Sequence, residues 1–460
     1  MIKVASLGMP RFGKNADLPK FIRENILKHN TDPDYNELEA IGQKVRNDNW
    51  KLQVNEGIDI IPCNDFSFYD HVLDNSVLLG NIPRRYYWEG GVMPFSIYFA
   101  MVFGQKLEKF DIQPMQKSYW YDTTYKYVVP ELSDPIDFVY SDNKAVLHFL
   151  EAKKSFSCKT RPSLMGIVSY LQVAQVEEDD KEEISDKSKL TQEAISVYHD
   201  LFENFVRLGI SDVEFYEPCF AQDLSNKEQD RFVEFYGSLV DEFKDQISIH
   251  LTSYGDAEKY FDCIDEVGFA SVHIDCLQTL NWKNVIGKFQ PETSVSLGFI
   301  DAKSMYISDL SHIIAEVKDA IKIIGSDRVI VAPTSSLFLT GHSVRYEKTL
   351  PKDLLGLVAF AHEKIRELSV IKKAINEGEE FVAEELSVNA ANIVRLKSLA
   401  EKLQNAWSQD VATDQGRVSF HDRSKVLSIN EGDPVLEKIM FGSVVSGFPN
   451  KKNKSMLEQK

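Results

Sequence analysis

"IIPCNDFSFYDHVLD", residues 60–74, sets a short apolar run against a segment carrying Asn64, Asp65, Tyr69, Asp70, His71 and Asp74. A break of this kind marks a strand ending in a polar loop. Two readings of that loop are open. It is ordinary solvated chain, or it is a site built at the carboxyl end of a strand.

The surrounding pattern bears on the choice. Runs of β character recur at 3–8, 58–62, 145–151, 213–218, 247–252, 271–276, 295–300 and 329–334, and helical patterns lie between most of them. The helical stretches at 36–57, 191–209 and 308–325 each stop at a glycine before the next strand, as helix-to-strand connections prefer. Eight strands with intervening helices predict an α/β fold, a single (β/α)8 TIM barrel with insertions. An open doubly wound sheet alternates in the same way, but no GxGxxG opens a helix here. The predicted barrel occupies 1–380, followed by a helical extension and linker at 381–430 and a tail at 431–460. The charge-dense insertion "VEEDDKEEISDKSK" (176–189) reads as a solvated loop.

With 43% hydrophobic residues in 460, the chain can bury a large core. A formal charge of −18 gives nothing to drive counterion release, so no nucleic-acid partner is expected. No apolar run approaches the ~18 residues that span a bilayer, and the N-terminus lacks the pattern of a secretory leader. The five cysteines (63, 158, 219, 263 and 276) are sparse and without CxxC spacing. A reducing, cytoplasmic setting is the expectation, without a membrane partner.

In a barrel, sites form on the loops that follow the strands. Asn64 to Asp74 then lies on that rim. So does "GMPRFGKNADLPK" (8–20), whose Arg11, Lys14 and Lys20 form a basic cluster able to hold a carboxylate or phosphate, or else an ordinary surface loop. Glu217 ends the fourth predicted strand as an acceptor, a base or a structural carboxylate. His250, His273, Cys219, Cys276 and Glu217 offer zinc-type ligands near strand ends, but no pair has the spacing of a known zinc motif. No metal site is expected in this chain.

The segments "SLGMPRFGKN", "NWKLQVNEGIDIIPCNDFSFYDHVLDNSVLLGNIPRRY", "WYDTTYKYVVPEL", "VSLGFIDAKSMY" and "VIVAPTSSL" together resemble the N-terminal half of cobalamin-independent methionine synthase, in order, from residue 3 to about 450. The resemblance implies one of two face-to-face barrels, with the zinc that binds homocysteine as thiolate carried by the other. It also implies a site for the polyglutamate tail of methyltetrahydrofolate. Carried over residue by residue, its candidates are Arg11, Lys14, Asp17, Asn64, Asp65, Asp70, Trp120 and Asp122, with Lys20 and Lys117 as replacement cations. They replace charges the family carries where this chain has Ala16, Pro19 and Tyr119.

Three functions follow. The first is a stand-alone module for methionine biosynthesis that binds folate polyglutamate and needs a separately encoded zinc barrel for methyl transfer. The second is a non-catalytic binding protein that has lost folate. The third is an independent metal-dependent methyltransferase using His273, Cys219 or Cys276. Since the family's zinc ligands have no counterpart here, whether this chain alone is an enzyme stays open, and no catalytic residue is assigned.

Overall fold

The computed structural model describes residues 1–13, 17–28, 33–106, 111–121, 123, 125–133, 137–156, 159–176, 187–348 and 350–412. Eight parallel strands form one sheet. In chain order they are β1 (Lys3–Val4), β2 (Ile61–Cys63), β3 (Thr160–Met165), β4 (Asp212–Glu217), β5 (Ser248–Ser253), β6 (Ser271–Asp275), β7 (Ser294–Ile300) and β8 (Val329–Pro333). Each pairs with its sequence neighbours, and β8 returns to β1. The cylinder closes between β1 and β2. Ala5 bridges Ile60, Ile60 N–H donates to the Val4 carbonyl at 3.2 Å, and Ser6 N–H donates to the Ile60 carbonyl at 3.0 Å.

Helices Tyr35–Asn55, Ser188–Arg207 and Leu310–Ile324 lie where the sequence pattern puts them, each ending shortly before a glycine. One expected strand is wrong. Residues 145–151 belong to helix Lys144–Ser155, and the third strand is Thr160–Met165. Burial explains the error. Ala145, Val146, His148, Phe149 and Ala152 face inward while Leu147 and Leu150 are exposed, which is a helical stripe. The true strand carries Arg161 and Pro162, residues that argue against a buried strand. Pro62 and Pro162 sit in adjacent strands, and β2 pairs with β3 over three positions only.

Much of the core lies between sheet and helices, where Phe202, Phe215, Phe235 and Tyr236 are fully buried. A second cluster containing Phe66, Phe68, Leu73, Phe99, Met101 and Val128 packs the segments inserted after β2. The helical extension Ala383–Ala412 is fastened to the barrel by Asn389. Its Oδ1 accepts from Leu310 N–H at 3.1 Å, and its Nδ2 donates to the Ser308 carbonyl at 2.9 Å. The expected linker beyond 412, the tail at 431–460 and most of the 176–189 insertion lie outside the described residues.

The barrel interior is divided. Ala5, Leu7, Ile60, Ile330 and Ala332 make an apolar side from β1, β2 and β8. Across a small cavity lies a polar side from β3 to β7. There Arg161 stands 3.7 Å from Glu214, and His250 lies between Asp212 (3.1 Å) and Ser271 (2.7 Å). His273 meets Ser296 at 3.0 Å and the Thr334 carbonyl at 3.2 Å. Buried charges of this kind are held by their partners, and removing one strands the other. Arg161→Met is therefore expected to lower the unfolding free energy by about 3–5 kcal/mol in urea titrations. Adding Glu214→Leu should recover most of that loss; no recovery would mean the two charges do not act as a pair.

Candidate functional site

The turn after β1 is fixed by its neighbours. Gly8 has φ +132°, and a Cβ there would fall 2.3 Å from Ser336 Oγ, so the loops after β1 and β8 cross only at a glycine. Met9 N–H donates to Asp65 Oδ2 at 2.9 Å, and Asn49 Nδ2 to the Pro10 carbonyl at 2.9 Å. These bonds place Arg11. Its guanidinium lies 4.8 Å from the Phe12 ring centre and 5.3 Å from that of Tyr69, and its Nη1 is buried without a hydrogen-bond partner. Lys117 Nζ lies 5.0 Å from the centre of the same Tyr69 ring and 4.9 Å from that of Phe103. One tyrosine thus carries two cations from distant parts of the chain. Among the described residues, no ion pair neutralises either.

Lys117 arrives on the hairpin Lys117–Tyr119 and Lys126–Val128. Asp70 holds that hairpin. Its carboxylate, fully buried, accepts from Val128 N–H at 2.9 Å and the Tyr125 hydroxyl at 2.7 Å. It also caps helix His71–Leu78 through Val72 and Leu73 N–H at 3.3 and 3.2 Å. Burial raises its pKa to about 6, against the pull of these donors. Asp65 is likewise raised to about 6 by burial while it anchors Met9. Much of the polarity of the opening stretch therefore joins strand ends to one another.

His71 follows at the start of that helix, boxed by Trp120 (4.7 Å), Phe338 (5.2 Å), Tyr216 (5.8 Å) and Tyr125 (5.9 Å). Burial, with Lys144 and Arg11 adding to it, lowers its pKa to about 3, so the imidazole is neutral. Behind it opens a small cleft lined by Asn64, His71, Asp74, Asn75, Asp142 and Lys144 among others. Asp74 pairs with Lys144 at 3.0 Å and accepts from the Tyr98 hydroxyl at 2.8 Å.

Of the candidate residues, Arg11, Lys117, Asn64, Asp65, Asp70 and Trp120 come together at the mouth. Trp120 is a buried wall against His71. Asp17 turns instead to Lys44 at 3.7 Å, and Lys20 is exposed on helix Asp17–Phe21. Lys14 and Asp122 lie outside the described residues. Sequence reasoning assigned no role to Tyr125, Asp142, Lys144 or Phe338. Asp142 and Lys144 adjoin the segment misread as a strand, and the others come from loops far apart in the chain.

Glu217 is fully engaged. It accepts from Ser169 N–H (2.9 Å), Val168 N–H (3.2 Å), the Ser169 hydroxyl and the Tyr236 hydroxyl (2.8 Å), which makes it a structural carboxylate. The zinc-type residues are dispersed. His250 and His273 bond inside the barrel, Cys276 faces the Ile274 carbonyl, and no three such ligands converge among the described residues.

Fold and mouth define a (β/α)8 barrel with a cationic edge that no ion pair neutralises among the described residues. The chain belongs to the family described as cobalamin-independent synthase, N-terminal domain, whose model matches residues 3–325. It is 30% identical over 464 residues to the 5-methyltetrahydropteroyltriglutamate–homocysteine methyltransferase of Mesorhizobium japonicum, covering 96% of this chain and 58% of that one. To the Saccharomyces cerevisiae protein of the same name it is 33% identical over 443 residues, 94% of this chain and 54% of that one. The chain thus spans about half the length of the curated relatives it matches. A B12-independent methionine synthase from Shewanella sp. W3-18-1, solved with selenomethionine, shares the fold at a TM-score of 0.53 and 13% identity, over 76% of this chain and 90% of that one.

Asp70→Ala should lower stability by roughly 2–4 kcal/mol, since it removes a cap and leaves buried donors unmet. For His71 the folded pKa lies below the unfolded 6.5, so its stabilising contribution is complete above pH 6.5 and lost as pH falls toward 3. Relative to His71→Gln, the wild-type protein should lose about 2 kcal/mol more between pH 7 and pH 5 in denaturant titrations. Parallel curves would show that the ring protonates freely in the fold.

Proposed function

We propose that this chain acts as an N-terminal module of methionine biosynthesis, binding methyltetrahydrofolate polyglutamate by its tail. The reading is supported above all by Arg11 and Lys117, two cations that both lie over the Tyr69 ring and have no carboxylate partner among the described residues. A glutamyl tail presents carboxylates in series, and guanidinium and ammonium groups bind them through charge-assisted hydrogen bonds. Lys126 adds to this edge. It pairs across the hairpin with Tyr119 and lies 4.8 Å from its ring centre, so a lysine stands over the position where the family is expected to carry one.

The methyl group would pass to homocysteine in a second barrel holding the zinc. The described residues supply no cluster fit for that metal, and this chain's part is to bind and orient. Exposed apolar side chains on loops after β6 and β8, Leu277, Leu280, Tyr346 and Leu355, suit a mouth that docks against another protein. The competing reading, a binding protein that has lost folate, is favoured by Ala16, Pro19 and Tyr119.

Calorimetric titration with triglutamyl methyltetrahydrofolate separates the two. Saturable binding is expected, weakened by about 1–3 kcal/mol in Arg11→Ala and again in Lys117→Ala. Absence of heat would favour the second reading.

A further inference from the structure

The cleft behind His71 is lined by none of Arg11, Lys117 or Tyr69, and Asn64 is the one residue it shares with the folate candidates. Its charges do not balance. Among the described residues lining the cleft, Asp74 and Asp142 face a single cation, Lys144, which already sits 3.0 Å from Asp74, and His71 is neutral. With both carboxylates ionised, the cleft is one positive charge short.

Its amides are also incomplete. Asn75, 5% exposed, accepts from the Tyr198 hydroxyl at 3.1 Å through Oδ1, while its Nδ2 has no partner. Asn64 donates from Nδ2 to the Ser163 carbonyl at 3.0 Å, while its Oδ1 has none. Buried amide groups left unpaired are uncommon in folded proteins and mark places where something else completes the bonding. Asn64 reaches its position at φ +69°, a left-handed backbone.

From these observations we infer that the cleft is a second binding site, for a small primary ammonium compound that also carries a carbonyl or hydroxyl. The ammonium would sit against Asp142 and Asn64 Oδ1, supplying the missing charge and filling the empty acceptor. Its carbonyl or hydroxyl oxygen would take the hydrogen bond that Asn75 Nδ2 can donate, while Lys144 stays on Asp74. An anion is disfavoured by the carboxylate excess. Asp142 fits this role: burial, with Asp74 adding to it, raises its pKa to about 6, and a bound cation would bring it down.

The test is ligand-observed NMR with glycinamide as probe, and with acetate and glycine beside it. Glycinamide should bind with millimolar affinity, glycine more weakly, and acetate not detectably. Asp142→Asn should weaken glycinamide about tenfold, whereas Lys144→Met should strengthen it, because one more negative charge is left uncompensated. A loss of fold would weaken both, so the opposite signs discriminate, and thermal unfolding of each variant is recorded alongside. Arg11→Ala and Lys117→Ala should leave glycinamide binding unchanged, which keeps this result separate from the triglutamyl titration. No glycinamide binding, equal binding of acetate, or a weakening in Lys144→Met would overturn the inference.

Discussion

The architecture of the mouth depends on one buried carboxylate. Asp70 bonds a helix start, a hairpin strand and a tyrosine hydroxyl at once, and so fastens the helix His71–Leu78 to the hairpin. Tyr69 precedes it directly, so the same anchor sets the ring on which Arg11 and Lys117 meet. It also fixes the start of the helix that presents His71 to its aromatic box. A buried carboxylate with a full set of donors is a rigid joint, because losing any one donor leaves a polar group unmet in a dry interior. Position at the mouth follows from that joint, and the availability of the cations follows from position.

The barrel beneath uses the same logic. (β/α)8 interiors are usually filled by branched apolar side chains. Here half the interior is polar, and Arg161, Glu214, Asp212, His250 and His273 are each matched to a neighbour. Such networks add little net stability over apolar packing, but they tolerate few arrangements. The contrast with the mouth is informative. Inside, charges are paired. On the rim, Arg11 and Lys117 have no ion-pair partner among the described residues.

Much of the fold was legible in the sequence because β runs and glycine-ended helices repeat in a regular alternation. The third strand was not, since Arg161 and Pro162 violate the rules for a buried strand, and only the Glu214 partner in β4 makes Arg161 acceptable there. Helix Lys144–Ser155 was misread because its β-prone and apolar residues hide a helical stripe. At the site, Asn64, Asp65 and Asp70 could be found from their place after a strand, though the work Asp65 and Asp70 do in joining segments could not. Arg11 stood out as a basic residue on a rim loop. Lys117 was reached only through resemblance, because its approach to Tyr69 requires the hairpin to fold back. The cleft behind His71 draws on the residue after β2, on β3, β4 and two separate helices, a juxtaposition that no local pattern encodes.

If Arg11 and Lys117 hold a glutamyl tail as proposed, affinity depends on the number of carboxylates the ligand carries. The most direct measurement compares the affinities of mono-, tri- and pentaglutamyl methyltetrahydrofolate for the full chain at low and high salt. The account predicts affinity that rises with each added glutamate and a difference that shrinks as salt screens the charges. Equal affinity for all three at both salt concentrations, or none at all, would contradict it.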